Sequence, residues 1–179
     1  MRTSLCIAPE EYLEAERKAL DKSEYYGGQI YAMAGARPRH ARIATNITAE
    51  LTFALKGGSC QVFNSDMRVH VPATGLYTYP DLSVVCGEPA FDHVDNLINP
   101  TVVIEVLSAR FLRYHSVPAL QEYLLVSQDS WSITHCTRLG GEDWRIETVG
   151  DDKRSIRLSS IGVELTFDQI YAGVDSLPA

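Results

Sequence analysis

The sequence is poor in cysteine, and it contains no long apolar run. Its 179 residues include four cysteines, none of them in a C-x-x-C pair. We therefore predict free, mostly buried thiols in a reducing compartment, and no zinc site. No apolar stretch approaches the ~20 residues of a membrane span, and residues 1–16 lack the features of a secretory signal. These absences predict a cytoplasmic protein without a membrane segment.

Positive charge is also scarce. The chain has 16 basic and 23 acidic residues, a formal net charge of −7, and only four lysines: Lys18, Lys22, Lys56 and Lys153. This balance argues against a protein that coats nucleic acid by bulk electrostatics. It does not exclude a nuclease, since metal ions offset the carboxylates of a nuclease site. With 45% hydrophobic residues, the chain is long enough to bury a core, and we predict a single domain over 1–179.

The sequence indicates a mixture of helices and β-hairpins. Pro9 is suited to open a first helix. Gly27-Gly28 predicts a hairpin turn, and Gly140-Gly141 predicts a second one. Apolar residues at 43, 47, 51 and 55 predict a helix over 38–56, and Thr166-x-x-Gln169 is typical of a capping box before a short helix at 167–171.

Short β-prone runs occupy the middle of the chain. We predict strands at 60–63, 81–86, 102–107 and 123–126, and a surface loop over 87–99. The run 66–71 alternates polar and apolar residues, which predicts a half-buried strand with Asp66, Arg68 and His70 on its polar face.

Two of these strands carry one carboxylate each. Asp81 opens the first strand after a proline, and Glu105 lies within an otherwise apolar run. A charge in such a run is expected to be neutralised or paired. If the two strands are neighbours, the carboxylates meet and favour a divalent metal such as Mg²⁺. The alternative is that Glu105 faces solvent from an edge strand and Asp81 caps a turn.

The start of the second helix is basic, with Arg37, Arg39, His40 and Arg42 in the first six positions. Positive charge there opposes the helix dipole unless an anion is bound, and a phosphate would fit. Arg39 and His40 are therefore candidates for substrate binding. The alternative is a solvated basic turn.

The order of these elements resembles the PD-(D/E)XK nucleases, with Pro80-Asp81 and Glu105-Val106-Leu107 at the motif positions. Over nearly the whole chain the sequence is similar to the Uma2 family (DUF820) of endonucleases. The matching segments are 11–13, 23–25, 30–35, 38–40, 65–69, 79–81, 99–108, 118–126 and 170–174.

The resemblance implies an α/β fold, a restriction-endonuclease-like mixed β-sheet flanked by helices with extra β-hairpins. It implies Mg²⁺-dependent (or Mn²⁺-dependent) hydrolysis of DNA phosphodiesters. Asp81 and Glu105 would bind the metal with the backbone carbonyl of Val106. His40 and Glu24 match positions that recur in the family, which makes them candidates for substrate binding; the alternative for Glu24 is a carboxylate at the edge of a hairpin. It also implies a homodimer.

The chain departs from the resemblance at the expected lysine. The position two residues after Glu105 is Leu107, and the residue before Phe111-x-x-Tyr114 is Arg110. Arginine can hold a phosphate but cannot take a proton from water. Two functions therefore stay open: an endonuclease using Arg110, or a catalytically degenerate relative that serves as a binding or assembly module. A serine or thiol hydrolase is disfavoured, because no G-x-S-x-G elbow is present.

Overall fold

The computed structural model describes residues 6–106, 114–150 and 153–178. Its three helices are α1 (Pro9–Glu16), α2 (Pro38–Ala54) and α3 (Phe167–Ile170) in these ranges. The strands are β1 (Ser23–Tyr26), β2 (Gln29–Ala32), β3 (Cys60–Asn64), β4 (Val69–Val71), β5 (Leu76–Thr78), β6 (Leu82–Cys86), β7 (Phe91–Asp92), β8 (Asn96–Leu97), β9 (Val102–Val106), β10 (Glu122–Val126), β11 (Ser132–Gly140), β12 (Asp143–Gly150), β13 (Ser155–Leu158) and β14 (Val163–Thr166).

The strands form two six-stranded mixed sheets and a separate hairpin. The central sheet has the order β12-β11-β10-β9-β6-β3, the second sheet has the order β2-β1-β5-β4-β8-β7, and β13 pairs with β14. Within the central sheet β9 and β10 are parallel, whereas β6 and β9 are antiparallel. The predicted mixed α/β fold is confirmed.

Each face of the central sheet is covered by a different layer. Helix α2 places Ile43, Ile47 and Leu51, all fully buried, against one face, because these residues recur at helical spacing on one side. Residues of the second sheet pack on the other face with Val103 and Tyr123. Strand β9 therefore lies in the interior, and all five of its residues are buried.

Several predicted elements are found where the sequence indicated them. Helix α2 begins at Pro38, and β1 and β2 pair through Gly27 and Gly28, whose φ angles are 58° and 79°. The pairing of β11 with β12 and the capping box at Thr166 are also present. No helix within the described ranges is long and apolar enough to cross a membrane.

Two predictions about local structure are wrong. Arg68 and His70 are buried, at 5% and 8% exposure, and the strand begins only at Val69. The predicted surface loop 87–99 contains β7 and β8, with Asn96 and Leu97 fully buried. Both errors arise because the second sheet covers these residues, a contact between distant segments that a local pattern does not reveal.

The prediction of free thiols is wrong for one cysteine pair. Cys60 and Cys86 are opposite each other in the register of β3 and β6 and form a disulfide, with their Cα atoms 4.0 Å apart. Cys6, which is exposed, and Cys136, which is buried, are free. The pairing follows from the antiparallel register, which the sequence spacing alone does not give.

Glu122 attaches the β13–β14 hairpin to the central sheet. The side chain is 1% exposed, and it accepts hydrogen bonds from the backbone N–H groups of Ser159 at 3.0 Å and Ser160 at 3.2 Å. His135 Nε2 lies 3.2 Å from Glu122 Oε1. A buried carboxylate with this many donors is held in its ionised form.

Replacing Glu122 with glutamine is expected to destabilise the protein in a pH-dependent way. Burial by itself would raise the pKa of Glu122, but hydrogen bonds from His135 and Ser160 lower it below the ordinary 4.5. The stabilisation is therefore complete above the ordinary pKa and is lost as pH falls through the lowered value. We expect Glu122→Gln to cost about 1–3 kcal/mol at neutral pH, and the difference to shrink on acidification. Urea unfolding at several pH values measures this, with the exposed Glu142→Gln as control; a pH-independent difference would contradict the assignment.

Candidate active site at the ends of two buried strands

Asp81 lies directly before β6, beside the end of β9. Leu82 pairs with Ile104, so the antiparallel register places the backbone of Asp81 opposite that of Glu105. One carboxylate oxygen of Asp81 is 2.8 Å from His40 Nε2, and the other accepts a hydrogen bond of 2.7 Å from the backbone N–H of Val106. The Asp81 side chain keeps 16% of its exposure. Both carboxylate oxygens of Asp81 are thus fixed by contacts, and part of the side chain remains accessible to solvent.

Glu105 is more deeply buried than Asp81. It is 5% exposed, and its Oε1 accepts a hydrogen bond of 2.9 Å from the hydroxyl of Tyr114. Burial and then the charge of Glu105 raise the pKa of Tyr114 well above 10. Tyr114 therefore keeps its proton over the whole working pH range and remains a donor to the carboxylate.

A buried chain of polar groups joins Glu105 to Glu24. The Thr78 hydroxyl donates to Glu24 Oε1 at 2.6 Å and lies 3.4 Å from the Tyr114 hydroxyl. Glu24 is 4% exposed. Since Glu24 and Thr78 lie on β1 and β5 of the second sheet, this network couples the two sheets beside the site. The structure brings Glu24 near Glu105 but buries it, which favours a structural role over substrate contact.

Arg39, one of the two arginines predicted to bind phosphate, contacts the C-terminal segment of the chain. The guanidinium of Arg39 donates through Nε to the backbone carbonyl of Leu177 at 2.9 Å. Arg42, one turn later, donates to the carbonyl of Ala172 at 3.1 Å. Part of the positive charge at the start of α2 thus serves to hold the C-terminal segment. Arg110 lies outside the described residues, and its role stays a prediction.

Two open grooves meet at Asp81 and His40. The first has a volume of about 730 Å³ and follows α2 to Phe53 and Lys56. The second has a volume of about 740 Å³ and is bounded by residues 33–37, Lys22 and Gln128. Because both grooves are lined by Asp81 and His40, a polymer lying along them would pass over this pair.

The donor set fits Mg²⁺ better than a metal that needs a full protein cage. Among the described residues no group of three or more His, Cys, Asp or Glu side chains forms a metal site. Mg²⁺ is usually held by one or two carboxylates, with water and substrate phosphate completing its shell. Asp81 and Glu105 carry carboxylate oxygens on adjacent strands, a donor type and number that fit this requirement. The Val106 contact that the structure gives is its N–H group, so its carbonyl as a ligand stays a prediction.

Sequence reasoning missed three residues at this site: Thr78, Tyr114 and Gln128. Thr78 and Tyr114 interact with the carboxylates across the two sheets, and Gln128 follows the parallel neighbour of β9. A sequence signal existed only for Gln128, because residues just after neighbouring parallel strands meet at one edge of a sheet. The other two depend on how the sheets pack.

Comparison with solved structures finds a protein that has the same architecture over nearly the whole chain. The fold is similar to the crystal structure of "a putative nuclease belonging to DUF820" from Anabaena variabilis, with a TM-score of 0.75 and 17% identity. The match covers 94% of this chain and 99% of that chain. At this identity the likeness establishes the fold alone.

The family itself is established by sequence. Residues 9–168 match the model of the Uma2 family, described as "Putative restriction endonuclease". Two uncharacterized proteins of Synechocystis sp. (strain PCC 6803) are 36% and 32% identical to the chain. Their alignments cover 94% and 88% of this chain, and 93% and 95% of the respective relatives. The chain therefore belongs to the Uma2 family.

Replacing Tyr114 with phenylalanine is expected to destabilise the protein by about 1–3 kcal/mol, because Glu105 loses a buried donor while the ring is retained. Urea unfolding measures the change. Tyr31→Phe is a matched control, since that hydroxyl lies at the surface and contacts only Gln29 within the described residues. Equal stability of wild type and Tyr114→Phe would show that the contact does not support Glu105.

Proposed function

We propose that this protein is a Mg²⁺-dependent endonuclease that hydrolyses DNA phosphodiesters. The observation that carries the proposal is the placement of Asp81. Its carboxylate is held by His40 and by the N–H of Val106, beside Glu105, where two grooves meet. Membership of the Uma2 family and the nuclease-like fold support the same class of reaction.

In this proposal each residue has a distinct task. Asp81 and Glu105 would hold the metal ion, and the bound ion would supply acidification of a water molecule and stabilisation of charge on the phosphate. His40 orients Asp81 by a hydrogen bond to the oxygen opposite the one that Val106 holds. Arg110 is assigned to the phosphate, because a guanidinium can bind two phosphate oxygens at once.

Nicking of supercoiled plasmid tests the proposal directly. Wild-type protein is expected to convert supercoiled DNA to the open-circular form with Mg²⁺ or Mn²⁺, and to leave it intact when EDTA is present. Protein purified in parallel as Asp81→Asn excludes a contaminating nuclease. Nicking that EDTA does not prevent would contradict the metal-dependent mechanism.

A second candidate is a binding or assembly module with the nuclease fold. Arg110 in place of the expected lysine favours it, because arginine stays protonated and cannot act as a base. Arg110→Lys separates the two functions. If the wild type binds DNA and metal without nicking and Arg110→Lys nicks, the site is intact but lacks the base.

We also propose that the chain forms a homodimer. Strand β2 lies at one edge of its sheet, and all four of its residues are exposed. Open strand edges are templates for pairing with another chain. Sedimentation of wild type and Ile30→Lys tests this: a dimer that the variant converts to monomer supports pairing through β2.

A further inference from the structure

Gln128 lines the second groove, and its side chain carries a buried polar atom that has no hydrogen-bond partner among the described residues. The residue follows β10, whose parallel neighbour β9 ends at the same sheet edge as Asp81. It is 4% exposed, and within the described ranges no donor reaches its Oε1. A buried amide oxygen without a donor is unfavourable, and rotation of the amide toward the groove would place it where a ligand can donate.

The same groove contains the N-terminus of α2. No side chain caps this helix end, and its first turn holds no acidic residue. Arg37 occupies the capping position and lines the groove, and its guanidinium makes no hydrogen bond or ion pair with the described residues. A helix N-terminus and a free arginine together form a site for an anion.

The other cation in the groove is already engaged. Lys22 contacts Asp66 and donates to the backbone carbonyl of Ser65 at 2.9 Å. Asp21 and Asp129 also line the groove, so an anion is favoured only where Arg37 and the helix dipole act together. The groove thus offers one anion position at Arg37 and one amide position at Gln128, and Asp81 lines the same groove.

We propose that this groove is a nucleotide-binding subsite beside the scissile phosphate, with Arg37 and the start of α2 holding a phosphate and Gln128 contacting the base. An amide presents one donor and one acceptor, and adenine presents the complementary pair at N6 and N7. The subsite therefore favours adenine at that position. The inference rests on the proposed nuclease function for the choice of DNA nucleotides, and it adds a base preference to it.

Nucleotide binding in the absence of metal tests the subsite separately from cleavage. With EDTA present, dAMP and dTMP are titrated into isotope-labelled protein and followed by NMR, in which the side-chain amide of Gln128 is assigned by its absence from Gln128→Leu. We expect dAMP to shift this amide signal and to bind at least about fivefold more tightly than dTMP.

Two variants and two controls complete the design. Gln128→Leu is expected to bring the ratio of dAMP to dTMP affinity close to one. Arg37→Gln is expected to weaken both nucleotides about tenfold. Matched controls are Gln61→Leu on β3 and Arg145→Gln on β12, both exposed and outside this groove, and they are expected to bind as wild type does.

The possible failures are distinguishable. Equal affinity for dAMP and dTMP in the wild type, or a preference that Gln128→Leu retains, would overturn the subsite. Nucleotide binding that follows these variants in a protein that does not nick plasmid would leave the subsite in place and overturn the proposed nuclease. Conversely, nicking without any base preference at this position would retain the nuclease and reject the role of Gln128.

Discussion

Replacing Asp81 with asparagine is expected to reduce plasmid nicking by on the order of a thousandfold, because the proposed metal site would lose a charged ligand. The substitution preserves the size of the side chain, and the remaining amide oxygen can still accept from the N–H of Val106. The amide nitrogen can donate to His40 when its Nε2 is unprotonated. The fold is therefore expected to be retained. Activity is compared after unfolding measurements have shown that the variant is as stable as the wild type.

Asp143→Asn is the matched control for this variant. Asp143 is an exposed carboxylate on β12, and it lines neither of the two grooves at Asp81. We expect its nicking rate to equal that of the wild type. A folded Asp81→Asn protein that nicks as fast as this control would remove Asp81 from the reaction and, with it, the proposed site.

Replacing Arg68 with methionine is expected to destabilise the protein by about 3–5 kcal/mol, the range for removing one partner from a buried charged network. The guanidinium, 5% exposed, donates to Asn96 and to the Tyr79 hydroxyl and lies 2.9 Å from Asp95 Oδ2. Methionine fills much of the volume but leaves Asn96 and Tyr79 without this donor.

Thermal or urea unfolding measures this effect, with Arg157→Met as the control, because Arg157 is an exposed arginine on β13. The control is expected to change stability by less than about 0.5 kcal/mol. A similarly small change in Arg68→Met would show that the buried contacts of Arg68 contribute no net stability.

Elements defined by local pattern were predictable from the sequence. Helix α2 follows from apolar residues every three to four positions, and the β1–β2 hairpin follows from Gly27-Gly28. The adjacency of the strands at Asp81 and Glu105 was one of two alternatives that the sequence left open, and the pairing of Leu82 with Ile104 agrees with it. These features depend on neighbours in sequence or on short connections.

Features that depend on packing between distant segments were not predictable. Arg68 reads as a surface residue because its run alternates, but its partners Tyr79, Asp95 and Asn96 come from other segments and cover it. The Tyr114 contact to Glu105 likewise needs the fold to bring a residue from beyond β9 back onto that strand. The disulfide of Cys60 with Cys86 needs the register of β3 and β6.

The basic start of α2 illustrates a partial success. The sequence indicated that these cations oppose the helix dipole and need partners. The structure gives Arg39 and Arg42 backbone carbonyls of the C-terminal segment, an arrangement that no spacing rule would indicate. Of the three arginines at this helix start, Arg37 is the one whose guanidinium makes no hydrogen bond or ion pair with the described residues. This division of roles becomes visible only in the folded chain.

Calorimetric titration of Mn²⁺ tests the central claim, a metal site at Asp81 and Glu105, most directly. Wild type, Asp81→Asn, Glu105→Gln and the control Asp143→Asn are titrated in the same buffer, each after unfolding stability has been checked. We predict one saturable site in the wild type and in the control, and its loss in both site variants. Unchanged Mn²⁺ binding in Asp81→Asn and Glu105→Gln would contradict the account.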